Sequence, residues 1–206
     1  MADTMDLALV LAVDCSSSVE PVEFRIQMEG IAAALRHPKL LSAIAAGREK
    51  RIALTLMLWS GADSQAIVVP WRMLATGADL EAAAAEIAAV ERSWQLGGTA
   101  IGIAIDYAAA LLGRIPFAAT RRVIDISGDG PDNVTSDAAS ARDRAVAQGI
   151  TINGLPIAKR SQLLPIYYQT QVIGGRDAFI EPAPDIEAFH ATILRKLLRE
   201  IGNPVS

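Results

Sequence analysis

The sequence predicts an α/β fold: a doubly wound, mainly parallel sheet of about six strands, one an antiparallel edge strand, with helices on both faces. Three observations lead to this prediction. Short, continuous apolar runs recur along the chain, as is typical of strands buried on both faces. Segments with apolar residues at helical spacing separate most of these runs. The 206 residues are 51% hydrophobic but only 5% aromatic, so we expect one domain over residues 1–206 with an aliphatic core.

The strands are recognised by their apolar runs. One run contains Pro70, and because proline cannot donate to a strand ladder, that strand is expected at the edge of the sheet. In chain order the predicted strands are Leu7–Val13, Arg51–Trp59, Gln65–Met73, Arg121–Ser127, Ile150–Ile157 and Asp177–Glu181.

The helices are recognised by spacing and by their end signals. Pro21 suits the first turn of a helix, and His37-Pro38 ends that helix. Gly149 suits a helix C-terminus. The last helix has acids near its start and bases near its end, which complements the helix dipole. The predicted helices are Pro21–Arg36, Leu40–Ala46, Asp79–Arg92, Ala100–Leu112, Asp137–Gln148, Ser161–Gln171 and Asp185–Ile201.

Composition excludes several classes of function. The net charge of −4 argues against nucleic-acid binding, which normally uses a basic face. The single cysteine, Cys15, excludes an intrachain disulfide and a cysteine-based zinc site, and two histidines are too few for a histidine-rich site. No run reaches the roughly 18 apolar residues of a membrane span, so direct membrane insertion is not expected. The compartment stays open: periplasmic or secreted if a leader has been removed, otherwise cytoplasmic.

Oxygen-bearing side chains follow two of the predicted strands and precede one helix. The segments are Asp14-Cys15-Ser16-Ser17-Ser18, Gly97-Gly98-Thr99 and Ser127-Gly128-Asp129-Gly130. Because ligands bind beyond the C-terminal ends of parallel strands, we expect these segments to converge on one rim of the sheet. Carboxylates and hydroxyls suit a hard divalent cation such as Mg²⁺ or Mn²⁺. Together these segments offer two carboxylates and a set of hydroxyls for such a cation.

This pattern of Asp14-x-Ser16-x-Ser18, a distant Thr99 and Asp129 followed by glycine resembles the metal-ion-dependent adhesion site of von Willebrand factor type A domains. The resemblance covers nearly the whole chain. It implies that Ser16 and Ser18 bind the metal directly, that Thr99 binds directly or through water, and that Asp14 and Asp129 act through water. It also implies Mg²⁺, Mn²⁺ or Ca²⁺ as the ion and a carboxylate of a partner protein at the remaining position.

Two stretches, Leu58–Ala62 and Ile124–Gly130, are similar to an uncharacterised bacterial branch of that superfamily. In one position this chain departs from the pattern. Many relatives have threonine or serine directly before the second aspartate, where this chain has Gly128.

The favoured function is a metal-dependent protein-binding module for adhesion or assembly, not an enzyme, since no histidine or lysine is placed near the predicted site to act as a base. A magnesium-dependent phosphatase of the haloacid dehalogenase type is an alternative, because Gly128–Asn133 resembles the GDGxND segment of that family. However, Ser16 stands where that family needs an aspartate, and no lysine lies between residues 51 and 158. Nucleotide binding at Gly97–Gly102 and a fold-only scaffold also compete with the binding module.

Structural roles are the competing explanation for several of these residues. Asp14 and the serines could serve only as helix caps. Asp132 and Asn133 are expected to form turn hydrogen bonds. Asp125, a carboxylate in an apolar strand, either supports the metal site or faces a polar neighbour. The same two-way choice applies to two tryptophans near the predicted rim, Trp59 and Trp94, which are interface anchors or cover the edge of the core.

Overall fold

The computed structural model describes residues 4–92, 97–135 and 137–202. Its centre is a five-stranded sheet in the order β3-β2-β1-β4-β5. All neighbouring strands are parallel except β3, which runs antiparallel to β2 at the edge. The predicted fold class is therefore confirmed, including the edge position of the strand that contains Pro70. The strands are β1 (Thr4–Asp14), β2 (Ile52–Trp59), β3 (Gln65–Leu74), β4 (Ala118–Gly128) and β5 (Thr151–Pro156).

The sixth strand predicted over Asp177–Glu181 is wrong. In the described part of the chain this region forms isolated bridges beside β5, such as Gly154 with Ile180, and no continuous ladder. Asp177 has a left-handed backbone with φ of 56°. Pro182 and Pro184 follow in sequence, and neither can donate a backbone hydrogen bond. The segment therefore protects the β5 edge without extending the sheet.

Helices cover both faces of the sheet, and most lie close to their predicted positions. The segment after β5 differs most, because a four-residue α-helix there passes directly into a π-helical turn at Tyr168–Val172. The last helix begins at Phe189 instead of Asp185, because the Asp185 carboxylate accepts a hydrogen bond from the Ala188 amide in a preceding turn. The helices are α1 (Pro21–Arg36), α2 (Pro38–Ala45), α3 (Gly77–Ala88), α4 (Ile101–Leu112), α5 (Ala138–Ala147), α6 (Leu164–Tyr167) and α7 (Phe189–Ile201).

Two aliphatic cores lie on opposite faces of the central strand. Leu9 and Leu11 of β1 pack with α1, α2, α3 and α7, whereas Val10 and Ala12 pack with α4 and α5. This division follows from the alternation of side chains along a strand. Both faces of β1 are thus covered, which explains its uninterrupted apolar run. Of the helices in the described ranges, none is long and apolar enough to cross a membrane.

A buried ionic cluster connects the sheet to α7. Asp125 of β4 faces Lys196 of α7, with Nζ 2.7 Å from Oδ1, and the same Nζ lies 2.6 Å from Glu200 Oε1. All three side chains are buried, and Asn153 of β5 donates to Glu200 at 3.1 Å. Asp125 therefore faces a polar neighbour on α7. Burial is the main reason that the pKa of Asp125 rises to about 7, and the positive charge of Lys196 opposes this rise.

Candidate metal site

The first part of the site is the turn that follows β1. Asp14 is the last residue of that strand and is fully buried because β1 lies in the middle of the sheet. Its Oδ1 accepts a hydrogen bond from the Ser16 amide at 2.7 Å, which folds the chain back in an Asx-type turn. This turn brings the hydroxyls of Ser16 and Ser18 within 3.1 Å of each other.

The second carboxylate comes from the end of β4, the neighbouring parallel strand. Val13 of β1 is in register with Ser127 of β4, so the segments that follow both strands leave the sheet side by side. Asp129 lies just beyond Gly128, and its Oδ1 accepts a hydrogen bond from the Ser18 hydroxyl at 2.5 Å. Both carboxylates and both serines therefore occupy one rim of the sheet.

Thr99 joins this rim through the loop that follows Asp129. The Thr99 amide donates to Asn133 Oδ1 at 2.8 Å, and the Asn133 amide donates to the Thr99 carbonyl at 3.0 Å. A Cβ added to Gly130 would lie 3.9 Å from Thr99 Oγ1, so the buried hydroxyl faces the segment after Asp129. The structure thus brings all five predicted residues to one place. That they bind a metal stays a prediction.

Two buried oxygens at this rim have no hydrogen-bond partner within the described residues: Asp14 Oδ2 and the hydroxyl of Tyr168. Both face Gly128, because a Cβ placed there would lie 2.9 Å from Asp14 Oδ2 and 2.8 Å from the Tyr168 oxygen. A serine or threonine at position 128 would therefore collide with them. The Tyr168 hydroxyl occupies the space that a larger side chain at position 128 would need, which explains the glycine there. From the sequence, Tyr168 was expected only to lie within a helix.

Burial dominates the electrostatics of these oxygens. It raises the pKa of Asp14 to about 7, although hydrogen bonds from Ser16 lower it, and the nearby charge of Asp129 adds to the rise. Burial also raises the pKa of Tyr168 well above its ordinary value. A buried carboxylate oxygen without a partner is costly, and a positive charge is the most direct way to remove that cost.

The donor set fits a hard divalent cation. Carboxylate and hydroxyl oxygens are the ligands that Mg²⁺ and Ca²⁺ prefer. Over residues 4–92, 97–135 and 137–202 there is no group of three or more His, Cys, Asp or Glu side chains that could hold a metal. A metal at this rim would therefore depend on the hydroxyls of Ser16, Ser18 and Thr99 in addition to the two aspartates.

Two arginines at the rim were missed by sequence reasoning. Arg160, in the loop after β5, has its Nε 3.4 Å from Asp129 Oδ2 and donates to the Ser18 carbonyl at 2.9 Å. Arg92 donates to the Ser16 carbonyl at 2.9 Å. These two serines lie 142 and 76 residues away from their arginines in the chain, so no local motif could identify the contacts.

The remaining sequence candidates have structural roles. Asp132 accepts hydrogen bonds from the amides of Val134 and Gly102, at 3.0 Å and 2.9 Å, as expected for a turn residue. Trp59 is fully buried in the core, so it is not an exposed interface anchor. Cys15 is buried too, and burial raises the pKa of its thiol to about 12. Trp94 lies outside the described residues.

A family model described as "Protein of unknown function (DUF1194)" matches residues 4–205. No curated protein matches the chain significantly. Solved structures with the same fold include a von Willebrand factor type A protein from Catenulispora acidiphila, with 17% identity and a TM-score of 0.65 over 98% of this chain and 44% of that one. The fold is therefore that of a von Willebrand factor type A domain, as the sequence motif implied.

Two further structures share this fold. Proximal thread matrix protein 1 from the mussel byssus, in a form with a zinc-occupied MIDAS motif, has 16% identity and a TM-score of 0.66 over 97% of this chain and 47% of that one. BatB from Bacteroides thetaiotaomicron has 15% identity and a TM-score of 0.61 over 95% of this chain and 98% of that one. The chain spans less than half the length of the Catenulispora and mussel proteins.

Proposed function

The chain belongs to the DUF1194 family of proteins of unknown function, and from this premise and its fold we propose that its sheet rim binds a divalent cation and, through that cation, a carboxylate of a partner protein. The observation that carries the proposal is Asp14 Oδ2, a buried carboxylate oxygen without a hydrogen-bond partner among the described residues, beside a cluster of hydroxyls. A buried carboxylate oxygen without a partner lowers the stability of a fold-only scaffold, and a bound cation would offset that cost.

The five rim residues have separate roles in this proposal. Ser16 and Ser18 bind the cation directly, Thr99 binds directly or through water, and Asp14 and Asp129 hold the surrounding water. Mg²⁺ is the proposed ion, with Mn²⁺ and Ca²⁺ as alternatives. When bound, the cation supplies a concentrated positive charge that attracts an Asp or Glu side chain of the partner. The zinc-occupied MIDAS motif of the mussel protein supports metal binding at such a rim on this fold.

The phosphatase alternative is less well supported. Asp132, the second aspartate of the GDGxND-like segment, already accepts hydrogen bonds from the amides of Val134, Thr135 and Gly102. Its carboxylate therefore stabilises the loop and the start of α4. We propose a binding module and assign no catalytic residue.

Isothermal titration calorimetry with MgCl₂ tests the metal site directly. The wild-type protein should bind one Mg²⁺, and Ser16→Ala and Asp14→Ala should each abolish detectable binding. Ser17→Ala is the matched control, because Ser17 lies in the same turn but is exposed. Equal Mg²⁺ affinity in wild-type and Asp14→Ala protein, or no binding of Mg²⁺, Mn²⁺ or Ca²⁺ by the wild type, would contradict the proposal.

A further inference from the structure

Large hydrophobic side chains are exposed at only a few positions of the described chain, and most of these lie on segments at the edge of the sheet that carries the candidate metal site. Four of the six are Val22, Val134, Leu163 and Ile166, with exposed fractions of 61%, 42%, 70% and 59%. The other two, Ile67 and Met73, lie on the edge strand β3. We call the first four the aliphatic rim.

The aliphatic rim belongs to the segments that follow β1, β4 and β5. Val22 is in the first turn of α1, directly after the turn that holds Ser18. Val134 lies beside Gly98, the residue before Thr99, because a Cβ added to Gly98 would be 2.5 Å from Val134 Cγ2. Parallel strands end at the same edge of a sheet, so Val22 and Val134 lie on segments at the edge that carries the metal-site oxygens.

Leu163 and Ile166 are tied to the same edge by hydrogen bonds on either side of them. Arg160, three residues before Leu163, donates to the Ser18 carbonyl at 2.9 Å. The hydroxyl of Tyr167, next to Ile166, accepts from the Asp132 amide at 3.2 Å. The loop after β5 and helix α6 are therefore held at the edge of the sheet that carries the metal site.

The charge of this edge selects an acidic partner. Arg160 and Arg92 place two guanidinium groups beside the site, and a bound divalent cation would offset the charges of Asp14 and Asp129. The two guanidinium groups and the bound cation would together attract carboxylates and repel basic segments. Contacts that surround an anchor residue exclude water from it, so aliphatic side chains near the cation would strengthen its interaction with a partner carboxylate.

We propose that the aliphatic rim is a docking surface for a protein segment in which aliphatic side chains flank an acidic residue. This inference rests on the proposed function and specifies its partner: the acidic residue reaches the cation, while the flanking side chains cover Val22, Val134, Leu163 and Ile166. Each of these contacts that becomes buried should contribute roughly tenfold to affinity.

A selection from a random dodecapeptide phage library tests this inference. Phage bound in MgCl₂ are eluted with EDTA, using wild-type protein, Leu163→Ser/Ile166→Ser and the control Ile67→Ser/Met73→Ser, whose positions are also exposed but lie on β3. The wild type and the control should enrich Asp or Glu flanked by Leu, Ile, Val or Phe. The Leu163→Ser/Ile166→Ser protein should still enrich the acid but with fewer aliphatic flanks, since Val22 and Val134 remain, and should bind the best wild-type peptide roughly a hundredfold more weakly.

The results distinguish failure of the docking surface from failure of the metal-dependent binding itself. Acidic peptides without aliphatic flanks on the wild type, or the same flanks on Leu163→Ser/Ile166→Ser, would overturn the docking surface and leave the metal-dependent module intact. The absence of any EDTA-eluted enrichment on the wild type would overturn the proposed function and this inference with it. Thermal unfolding of each variant verifies that the substituted proteins are folded.

Discussion

Replacing Asp14 by asparagine should make the protein more stable in EDTA and, at the same time, unresponsive to Mg²⁺. Asparagine keeps the shape of the side chain and can still accept a hydrogen bond from the Ser16 amide through one oxygen. The substitution removes a buried negative charge. One of the two carboxylate oxygens, Oδ2, has no hydrogen-bond partner among the described residues. A metal-binding carboxylate should lower the stability of the protein when the metal is removed and raise it when the metal is bound.

The magnitude follows from the raised pKa of Asp14, about 7 against the ordinary 3.8. Because the folded-state pKa of this acid is raised, its contribution favours folding below about pH 4 and is lost as the pH rises past about 7. At pH 8 the ionised group costs roughly 4 kcal/mol. A weaker hydrogen bond to Ser16 takes back about 1 kcal/mol. We therefore expect a net gain of about 3 kcal/mol for Asp14→Asn, or an increase in Tm of roughly 6–12 °C.

Thermal and urea unfolding at pH 8, each in EDTA and in MgCl₂, measure both effects. At 100 times its Kd, Mg²⁺ should stabilise the wild type by about 2.7 kcal/mol and leave Asp14→Asn unchanged. Ser17→Ala should behave like the wild type in both buffers. An Asp14→Asn protein that is less stable than the wild type in EDTA would refute the argument from burial. One that keeps the Mg²⁺ stabilisation would remove Asp14 from the metal site.

Four further predictions concern the surroundings of the site and the buried ionic cluster. Arg160→Gln should tighten Mg²⁺ binding roughly fivefold in a titration, because it removes about 1 kcal/mol of repulsion between the guanidinium and the cation, and unchanged or weaker binding would contradict this. Gly128→Ala should destabilise the protein by about 1–3 kcal/mol in urea, since its Cβ would lie 2.9 Å from Asp14 Oδ2; an unchanged urea midpoint would show that the site can expand. The raised pKa of Asp125 means that its contribution to stability is lost between about pH 4 and pH 7, so Asp125→Asn should reduce the fall in unfolding free energy from pH 5 to pH 8, and an unaltered pH profile would argue against it. Lys196→Met should cost about 3–5 kcal/mol, because it leaves buried carboxyl groups without their cation, and a much smaller loss of urea stability would be inconsistent with the cluster.

Much of the fold was predictable because buried strands and helices require recognisable patterns of apolar residues along the chain. Strand β1 reads as a continuous apolar run because its alternate side chains enter two different cores. Pro70 identified the edge strand because a missing donor can be tolerated there. The segment Asp177–Glu181 was misread as a strand, since its composition is apolar enough but its backbone at Asp177 and the prolines after it prevent a ladder.

The sequence by itself determined which oxygen-bearing residues belong together, since Asp14, Ser16, Ser18, Thr99 and Asp129 follow strand ends or precede a helix in a recognisable order. The turn after β1 places Asp14, Ser16 and Ser18, and the rule that parallel strands end at one edge places Asp129. Thr99 reaches the rim through its hydrogen bonds with Asn133.

Only the tertiary structure decided what surrounds them. Three contacts join distant parts of the chain: Arg160 with Asp129, Tyr168 with Gly128, and Lys196 with Asp125. None of them leaves a periodic signal. These charged and hydroxyl groups affect the site only after folding, because packing excludes water and places them within a few ångströms of the oxygens they face.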